Sequence, residues 1–411
     1  MSSHLRVGVV HSGVLKGISD VSELDIEALA HLVGGNTGNL AFSYPIDLLI
    51  ENPIERIPWD FDIDYARENF DILWFACANM LGPHSDIGWV SDHLENAGLP
   101  VIAVGLGAQN RSILQLDYNI TPGTLRWLLT LERLSPSACN IFCRGQYTDQ
   151  LLKRMQLGFS MAGCCPSLFI SPDPNLGQTI AAKAHDADQS SKPLAVYSGF
   201  IGNHPFYELE QSLVQLLDQT DVPGIYISQH GETLLSLYES RLRDLLSDEQ
   251  IQDAKEMIKP ELSTADFHAW CLKHAKSFFT LDEWMATLKS FSLSTGMRFH
   301  GNMLTLQSGV PAVCFTIDSR TEELCQSCMV PSITTLELSS VTKEILWQMF
   351  FDRFNPIDFD ANRSMMARKL MSFLLANDLT PSKHLQDIAL GHRPFSNSAG
   401  QAIGTTNLLY A

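Results

Sequence analysis

With 411 residues, 45% hydrophobic and 18% charged, the chain has the composition of a globular protein rather than a disordered one, and it is long enough for two domains of ordinary size. Its 28 lysines and arginines against 46 aspartates and glutamates give a net charge of −18, which argues against nucleic acid as a partner, because neutralising phosphates needs a basic face. An anionic small molecule would have to be held by a few local arginines against an unfavourable overall field.

The amino-terminal stretch MSSHLRVGVVHSG has no long apolar core, so no secretory signal is expected, and no segment reaches the uninterrupted apolar length of an integral membrane span. A cytoplasmic location is therefore expected. The nine cysteines are scattered, with Cys164-Cys165 and Cys325-x-x-Cys328 the only paired spacings. A single C-x-x-C without a second pair or spaced histidines is poor support for zinc, so reduced structural thiols and no metal site are expected.

Leu5 to Val10 reads as a first buried strand, followed by the glycine-rich loop Gly34-Gly35-Asn36-Thr37-Gly38-Asn39 and a helix start that Pro45 delays or kinks. FDILWFAC is a strand, DIGWVSDHLENAG a helix with Gly98 near its end, PVIAVGLGA a strand, TLRWLLTLERL a helix, CNIFCRG a strand and QYTDQLLKRMQLG a helix. Such alternation is the mark of βαβ units on a parallel sheet. Ser171 to Lys192 is polar, with proline, glycine and serine, and reads as an interdomain linker or surface excursion.

Alternation then resumes with the strand LAVYSG, the helix YELEQSLVQLLDQ, the strand GIYISQ and the helix ETLLSLYESRLRDLL. A helix-rich insert covers Asp248 to His274, before the strand KSFFT and the helix DEWMATLKS. Asp358 to Ala376 reads as a long amphipathic helix with Met365, Met366, Leu370, Met371, Phe373 and Leu374 on or near one face as a core-packing stripe. The last thirty or so residues are polar and are expected to be loosely ordered. The fold class is therefore α/β, with two doubly wound, Rossmann-like domains facing across a cleft. The expected division is 1–185, an amino-terminal Rossmann-like domain; 192–352, a carboxy-terminal Rossmann-like domain; and 353–411, a final helix and tail.

Chemistry concentrates in STGMRFHGNMLTLQSGVPAVCFTIDSR, which reads as strand, loop, helix, strand, loop. Arg298 and His300 are two apart where a helix starts, so a guanidinium and a titratable acid can converge on an anion at a strand's carboxyl edge. Asp318 and Arg320 follow the next strand, either as an ion pair or as ligand contacts. Arg144 ends a strand immediately before a helix. His84 and His230 each lie between a strand end and a helix start, and Asn36 and Asn39 lie in a loop that permits close backbone approach to a ligand. No G-x-G-x-x-G, H-E-x-x-H, G-x-S-x-G or P-loop lysine motif is present, which disfavours NAD enzymes, zinc proteases, α/β-hydrolases and P-loop NTPases.

The order R-x-H-G, apolar helix, G-x-P, strand and D-x-R resembles the polysaccharide pyruvyl transferase family. Three further segments agree: the glycine-rich loop, Arg144-Gly145-Gln146-Tyr147-Thr148, and Gly163-Cys164-Cys165-Pro166-Ser167-Leu168-Phe169. Family members often carry an acidic residue where Asn39 stands and a lysine where Arg320 stands. The resemblance implies the two-domain B-type glycosyltransferase fold. It also implies transfer of a pyruvyl group from phosphoenolpyruvate to a sugar diol in polysaccharide or exopolysaccharide biosynthesis, forming a ketal and releasing phosphate. His300 would be the general acid, assisted by Arg298, with Arg144, His230, Arg320, Asn36, Asn39 and His84 as substrate-binding candidates. The partners implied are phosphoenolpyruvate and a glycan or lipid-linked oligosaccharide acceptor, with no cofactor beyond the donor substrate itself. The alternatives are a nucleotide-sugar-dependent glycosyltransferase of the same shape and a non-catalytic glycan- or anion-binding protein.

Overall fold

The structure is a computed structural model that describes residues 5–11, 13, 17, 24–116, 119–186, 192–197, 206–218, 224–230, 246–335 and 340–391. Strands β1 (Val7–Val10), β2 (Ile54–Ile57), β3 (Ile72–Ala76), β4 (Val101–Leu106), β5 (Ile141–Cys143) and β6 (Ser160–Ala162) form one sheet in the order β2-β1-β3-β4-β5-β6. Strands β7 (Leu194–Tyr197), β8 (Ile225–Ser228), β9 (Ala275–Ser277), β10 (Leu293–Gly296), β11 (Ala312–Thr316) and β12 (Ser332–Thr334) form a second, in the order β12-β11-β10-β7-β8-β9. Adjacent strands within each sheet run parallel.

The central strands read as continuous apolar runs because helices cover both faces: every residue of ILWFA in β3, VIAVGL in β4 and AVCFT in β11 is buried. Side-chain alternation divides the first sheet between two cores. Leu73, Phe75 and Ala103 face one core, while Val9, Trp74 and Ile102 face another that runs on through Val196 and Phe315 of the second sheet. The two halves therefore share a continuous apolar core.

Each sheet reverses its strand order once: between β1 and β3 in the first, and between β7 and β10 in the second. Such switch points leave a crevice beyond the carboxyl ends of the strands. A register shift between Val104 and Leu106, where Gly105 adopts a positive φ of 84°, bends the end of β4.

Several elements differ from the sequence reading. The short strands β2, β6 and β12 lie outside the expected set. The supposed linker at 171–192 contains the helix Leu176–Ala184, whose Leu176 and Ile180 are buried. Apolar residues four apart outweigh the polar residues around them there. The last thirty residues are not uniformly loose: Lys383–Leu390 is a helix with buried Leu385 and Ile388. The expected helix at 232–246 lies almost wholly outside the described residues, as does 392–411 of the tail. Among the described residues no helix is long and apolar enough to cross a membrane.

The helix Pro356–Ala376 crosses back to the first half of the chain. Buried Arg363 on it donates hydrogen bonds to the carbonyls of Leu168 (2.9 Å), Ser171 and Asp173, satisfying an irregular segment that has no ladder partner. Beyond it, the backbone N–H of Glu51 donates to Thr380 O and that of Ser382 to Leu49 O, both at 2.9 Å. Replacing Arg363 with alanine should destabilise the protein by on the order of 3 kcal/mol, because buried carbonyls lose charged donors. Urea unfolding of Arg363→Ala measures this; an unchanged midpoint would assign the anchoring of 168–173 to apolar packing instead.

Candidate active site

The carboxyl ends of both sheets open onto one small cavity. Ala78 and Asn79 reach it after β3, Arg144 after β5, Gln229 after β8, Met297 and Arg298 after β10, and Arg320 and Thr321 after β11. The glycine-rich loop after the first helix adds Asn36 and Asn39, so the wall is drawn from both switch points.

Arg144 is 5% exposed and donates through Nε and Nη2 to the carbonyl of Gly105, at 3.3 and 3.2 Å. The bend in β4 presents that carbonyl, and Gly107 leaves room for the guanidinium, since a Cβ there would lie 2.0 Å from Nε. Arg144 forms no ion pair among the described residues. The rest of its segment is explained by Glu323, a buried carboxylate from the other half. The backbone N–H of Thr148 donates to Glu323 Oε1 at 2.6 Å and its hydroxyl to Oε2 at 2.7 Å. Gly145 permits this approach, because a Cβ would meet Glu323 Cγ at 2.4 Å. Thus Arg144 serves the cavity while Gly145 and Thr148 receive the brace from the second sheet.

Gly296 ends β10 at φ 132°, where a Cβ would collide with the Tyr197 carbonyl at 2.3 Å. Asn302 then holds the turn, its amide donating to the carbonyls of Gly296 (3.1 Å) and Arg298 (3.0 Å) while its oxygen accepts from the Ser294 hydroxyl. These bonds fix Arg298 as the residue preceding the helix Phe299–Gln307. Burial, and next the charge of Arg320, lower the Arg298 guanidinium to about 10, with Glu210 opposing. Arg298 therefore stays charged at neutral pH.

His300 occupies the first turn of that helix. Its ring lies against Phe42 and Phe299, with centroids 5.6 and 5.3 Å away, and its Nε2 is 3.6 Å from the sulfur of Cys165. Burial pushes the Cys165 thiol up to about 11, so it is protonated at neutral pH, and Ser167 donates to its sulfur at 3.0 Å. Burial, then Arg144 and Arg320, hold the His300 imidazole down at about 3. The ring is thus neutral at physiological pH without a bound anion.

Asp318 and Arg320 form an ion pair at 3.5 Å, and Arg320 also lines the cavity with its Nε buried and lacking a hydrogen-bond partner among the described residues. Asp318 caps the helix Ser319–Cys328 through Thr321 and accepts from Gln109 at 3.0 Å, so its oxygens are committed to structure. Three guanidiniums consequently face one small space.

Arg144, Arg298, His300, Arg320, Asn36 and Asn39 are brought together here; His84 and His230 are not among the lining residues. Asn39 spends its amide N–H groups on the carbonyls of Val33 and Gly34, and Asn36 accepts from Gly38 N, so both also shape the loop. His84 is exposed, with Nε2 2.9 Å from the carbonyl of Asn79, a residue of the cavity wall. His230 is exposed at the rim, paired with Asn36 across the two halves. Partial desolvation, then Arg298 and Arg320, lower its imidazole. Gln229, Asn79 and Cys165 escaped the sequence reading. Gln229 is concealed as the last residue of an ordinary strand run, and Cys165 inside a segment whose thiols read as structural. Among the described residues no group of three or more His, Cys, Asp or Glu could hold a metal ion.

The sequence profile of the polysaccharide pyruvyl transferase family matches residues 80–319, more than half of the chain. No curated protein matches in sequence. Similar solved structures include S. aureus MnaA with UDP, at 9% identity over 92% of this chain and 99% of that one, TM-score 0.46. UDP-N-acetylglucosamine 2-epimerase from Rickettsia bellii is similar at 10% identity over 91% and 97%, TM-score 0.40. The wall teichoic acid polymerase TagF is similar at 10% identity over 90% of each chain, TM-score 0.38.

Because His300 titrates below its ordinary 6.5, the unfolded chain takes up this proton first. Its contribution to stability is complete above about pH 6.5 and falls as the pH drops. Replacement by glutamine should flatten the acid-side loss by at most about 1.4 kcal/mol per pH unit, less for the ring's partial exposure. His11 and His274, also lowered mainly by burial, will retain some slope. Urea unfolding at pH 7 and pH 5 tests this; parallel losses in both proteins would show that His300 titrates normally.

Proposed function

The chain belongs to the polysaccharide pyruvyl transferase family, and on that premise we propose that it transfers the pyruvyl group of phosphoenolpyruvate to two hydroxyls of a glycan. The observation that carries this reading is the convergence of Arg144, Arg298, Arg320 and His300 on one cavity between the sheets. Phosphoenolpyruvate combines a carboxylate, a phosphate and a carbon that must be protonated, which matches an arginine-rich wall beside a single imidazole.

The chemistry balances as follows. His300 gives a proton to the methylene carbon, and one sugar hydroxyl oxygen bonds to the central carbon. The second hydroxyl oxygen then bonds to that carbon as its bond to the phosphate oxygen breaks. Phosphate leaves with the electron pair, and the product is a cyclic pyruvate ketal. One hydroxyl proton replaces the proton delivered through His300, and the other accompanies phosphate. The arginines stabilise negative charge on the donor and on the departing phosphate without rearranging during the reaction.

The neutral resting state of His300 adds a coupling. Donor anions beside Arg144 and Arg320 offset the positive charge that, after burial, holds the imidazole down, so binding the donor raises its affinity for a proton. The acid is armed by the substrate it acts on. Calorimetry of phosphoenolpyruvate binding near pH 6, in buffers of different ionisation enthalpy, should reveal proton uptake of up to about one that disappears in His300→Gln. Identical enthalpies in all buffers would oppose this coupling.

Phosphate release from phosphoenolpyruvate across a panel of glycan acceptors tests the activity itself. His300→Ala should reduce turnover by about 10²- to 10⁴-fold with donor affinity changed only a few fold. Arg144→Ala and Arg298→Ala should instead weaken donor binding by roughly 1.5–3 kcal/mol each. Stabilisation by a nucleoside diphosphate and not by phosphoenolpyruvate would point to the glycosyltransferase alternative.

A further inference from the structure

Gln229 occupies an unusual position on the cavity wall. The residue is 1% exposed, yet its Nε2 is buried without a hydrogen-bond partner among the described residues. Buried amides of this kind ordinarily find partners, and an orphan on a residue of the cavity wall points to a group supplied from outside.

Two glycines create the slot that holds it. A Cβ on Gly38 would lie 2.6 Å from Gln229 Oε1, and one on Gly301 would lie 2.4 Å from Nε2. Gly38 belongs to the glycine-rich loop of the first half, and Gly301 follows His300 on the helix Phe299–Gln307. The carboxamide is therefore clasped between the two motifs that build the cavity. Its backbone is held as well: Thr37 N donates to Gln229 O at 2.8 Å. The amide thus lies between Gly38 and Gly301, on a residue of the cavity wall.

The surroundings identify what it can bind. The wall beside it carries Arg144, Arg298 and Arg320, so the oxygen that reaches Nε2 belongs to an anion already drawn in by those charges. A neutral N–H donor adds direction to such an anion without adding a fourth repelling cation.

We propose that Gln229 is a donor-binding residue whose side-chain N–H hydrogen-bonds an anionic oxygen of the substrate held by the three arginines. Its naming as phosphoenolpyruvate rests on the functional reading above, whereas the contact to an anion does not. A glutamine kept unsatisfied in the empty protein for the sake of a ligand trades stability for binding, and that trade has a measurable sign.

The experiment compares native protein with Gln229→Met, which keeps length and volume but removes both polar atoms. The readouts are thermal unfolding without ligand, calorimetric binding of phosphoenolpyruvate, inorganic phosphate and a nucleoside diphosphate, and the separation of KM from kcat. The methionine variant should unfold at the same or a higher temperature while phosphoenolpyruvate binds about 10- to 100-fold more weakly, with the change mainly in KM. Phosphoenolpyruvate binding within twofold of native overturns the proposal. A lowered unfolding temperature with unchanged affinity also overturns it, and assigns the amide to bracing the Asn36 loop.

Weakened binding of the nucleoside diphosphate, with no binding of phosphoenolpyruvate by either protein, upholds the contact and overturns the pyruvyl-transfer reading. A native protein that binds none of the three anions overturns both. Should Gln229→Met fail to fold, Gln229→Glu retains the shape and replaces the N–H donor with a carboxylate oxygen. The glutamate variant must then weaken anion binding by at least the same factor, and native-like affinity would again overturn the proposal.

Discussion

Three guanidiniums turned toward one small cavity repel one another, and much of the architecture follows from holding them there. Arg144 rests on a carbonyl exposed by a bend in β4 rather than on a carboxylate. Arg298 is placed by a turn that Asn302 locks through backbone carbonyls. Asp318 pairs with Arg320, but its oxygens also serve a helix cap and Gln109. The remaining positive charge depresses the imidazole of His300 after burial has done so. Such an arrangement is costly when empty and relieved by an anion, which is the physical meaning of preorganisation here.

That strain is borne by contacts between the halves. Glu323, from the helix after β11, satisfies the first turn of the helix Gln146–Arg154, while Asn110 and Ser319 exchange hydrogen bonds at 2.7 and 3.0 Å. On the opposite side, Arg363 ties the long helix Pro356–Ala376 to the segment following β6. The continuous core between the sheets adds non-directional cohesion, and these polar braces add register. Displacing Glu323 therefore changes the site as well as stability, because its carboxylate braces Thr148 and its charge acts on Arg144.

Much of the layout was legible in the sequence because its signals are local. Continuous apolar runs such as ILWFA and VIAVGL announce strands covered on both faces, and their alternation with amphipathic segments announces parallel order. Arg298 and His300 could be singled out because a cation and an imidazole two apart at a strand-to-helix junction have few structural uses. The strands β2, β6 and β12 carried weaker signals, being three or four residues long and partly exposed. The helix Leu176–Ala184 was obscured by the polar residues flanking it.

By itself, the sequence determined the α/β class, the places where strand ends expose polar loops, and the motif order that marks the family; each depends on residues close together along the chain. Only tertiary structure decided which of those loops meet. It brought Asn36 and Arg144 to Arg298 and His300 while leaving His84 and His230 outside the wall, since strand order in each sheet sets which carboxyl ends are neighbours. It decided the protonation of His300, because burial and the fields of Arg144 and Arg320 exist only when distant segments converge. It also distinguished Gln229 from any other glutamine ending a strand, since its slot is made by Gly38 and Gly301, one from each side of the cavity.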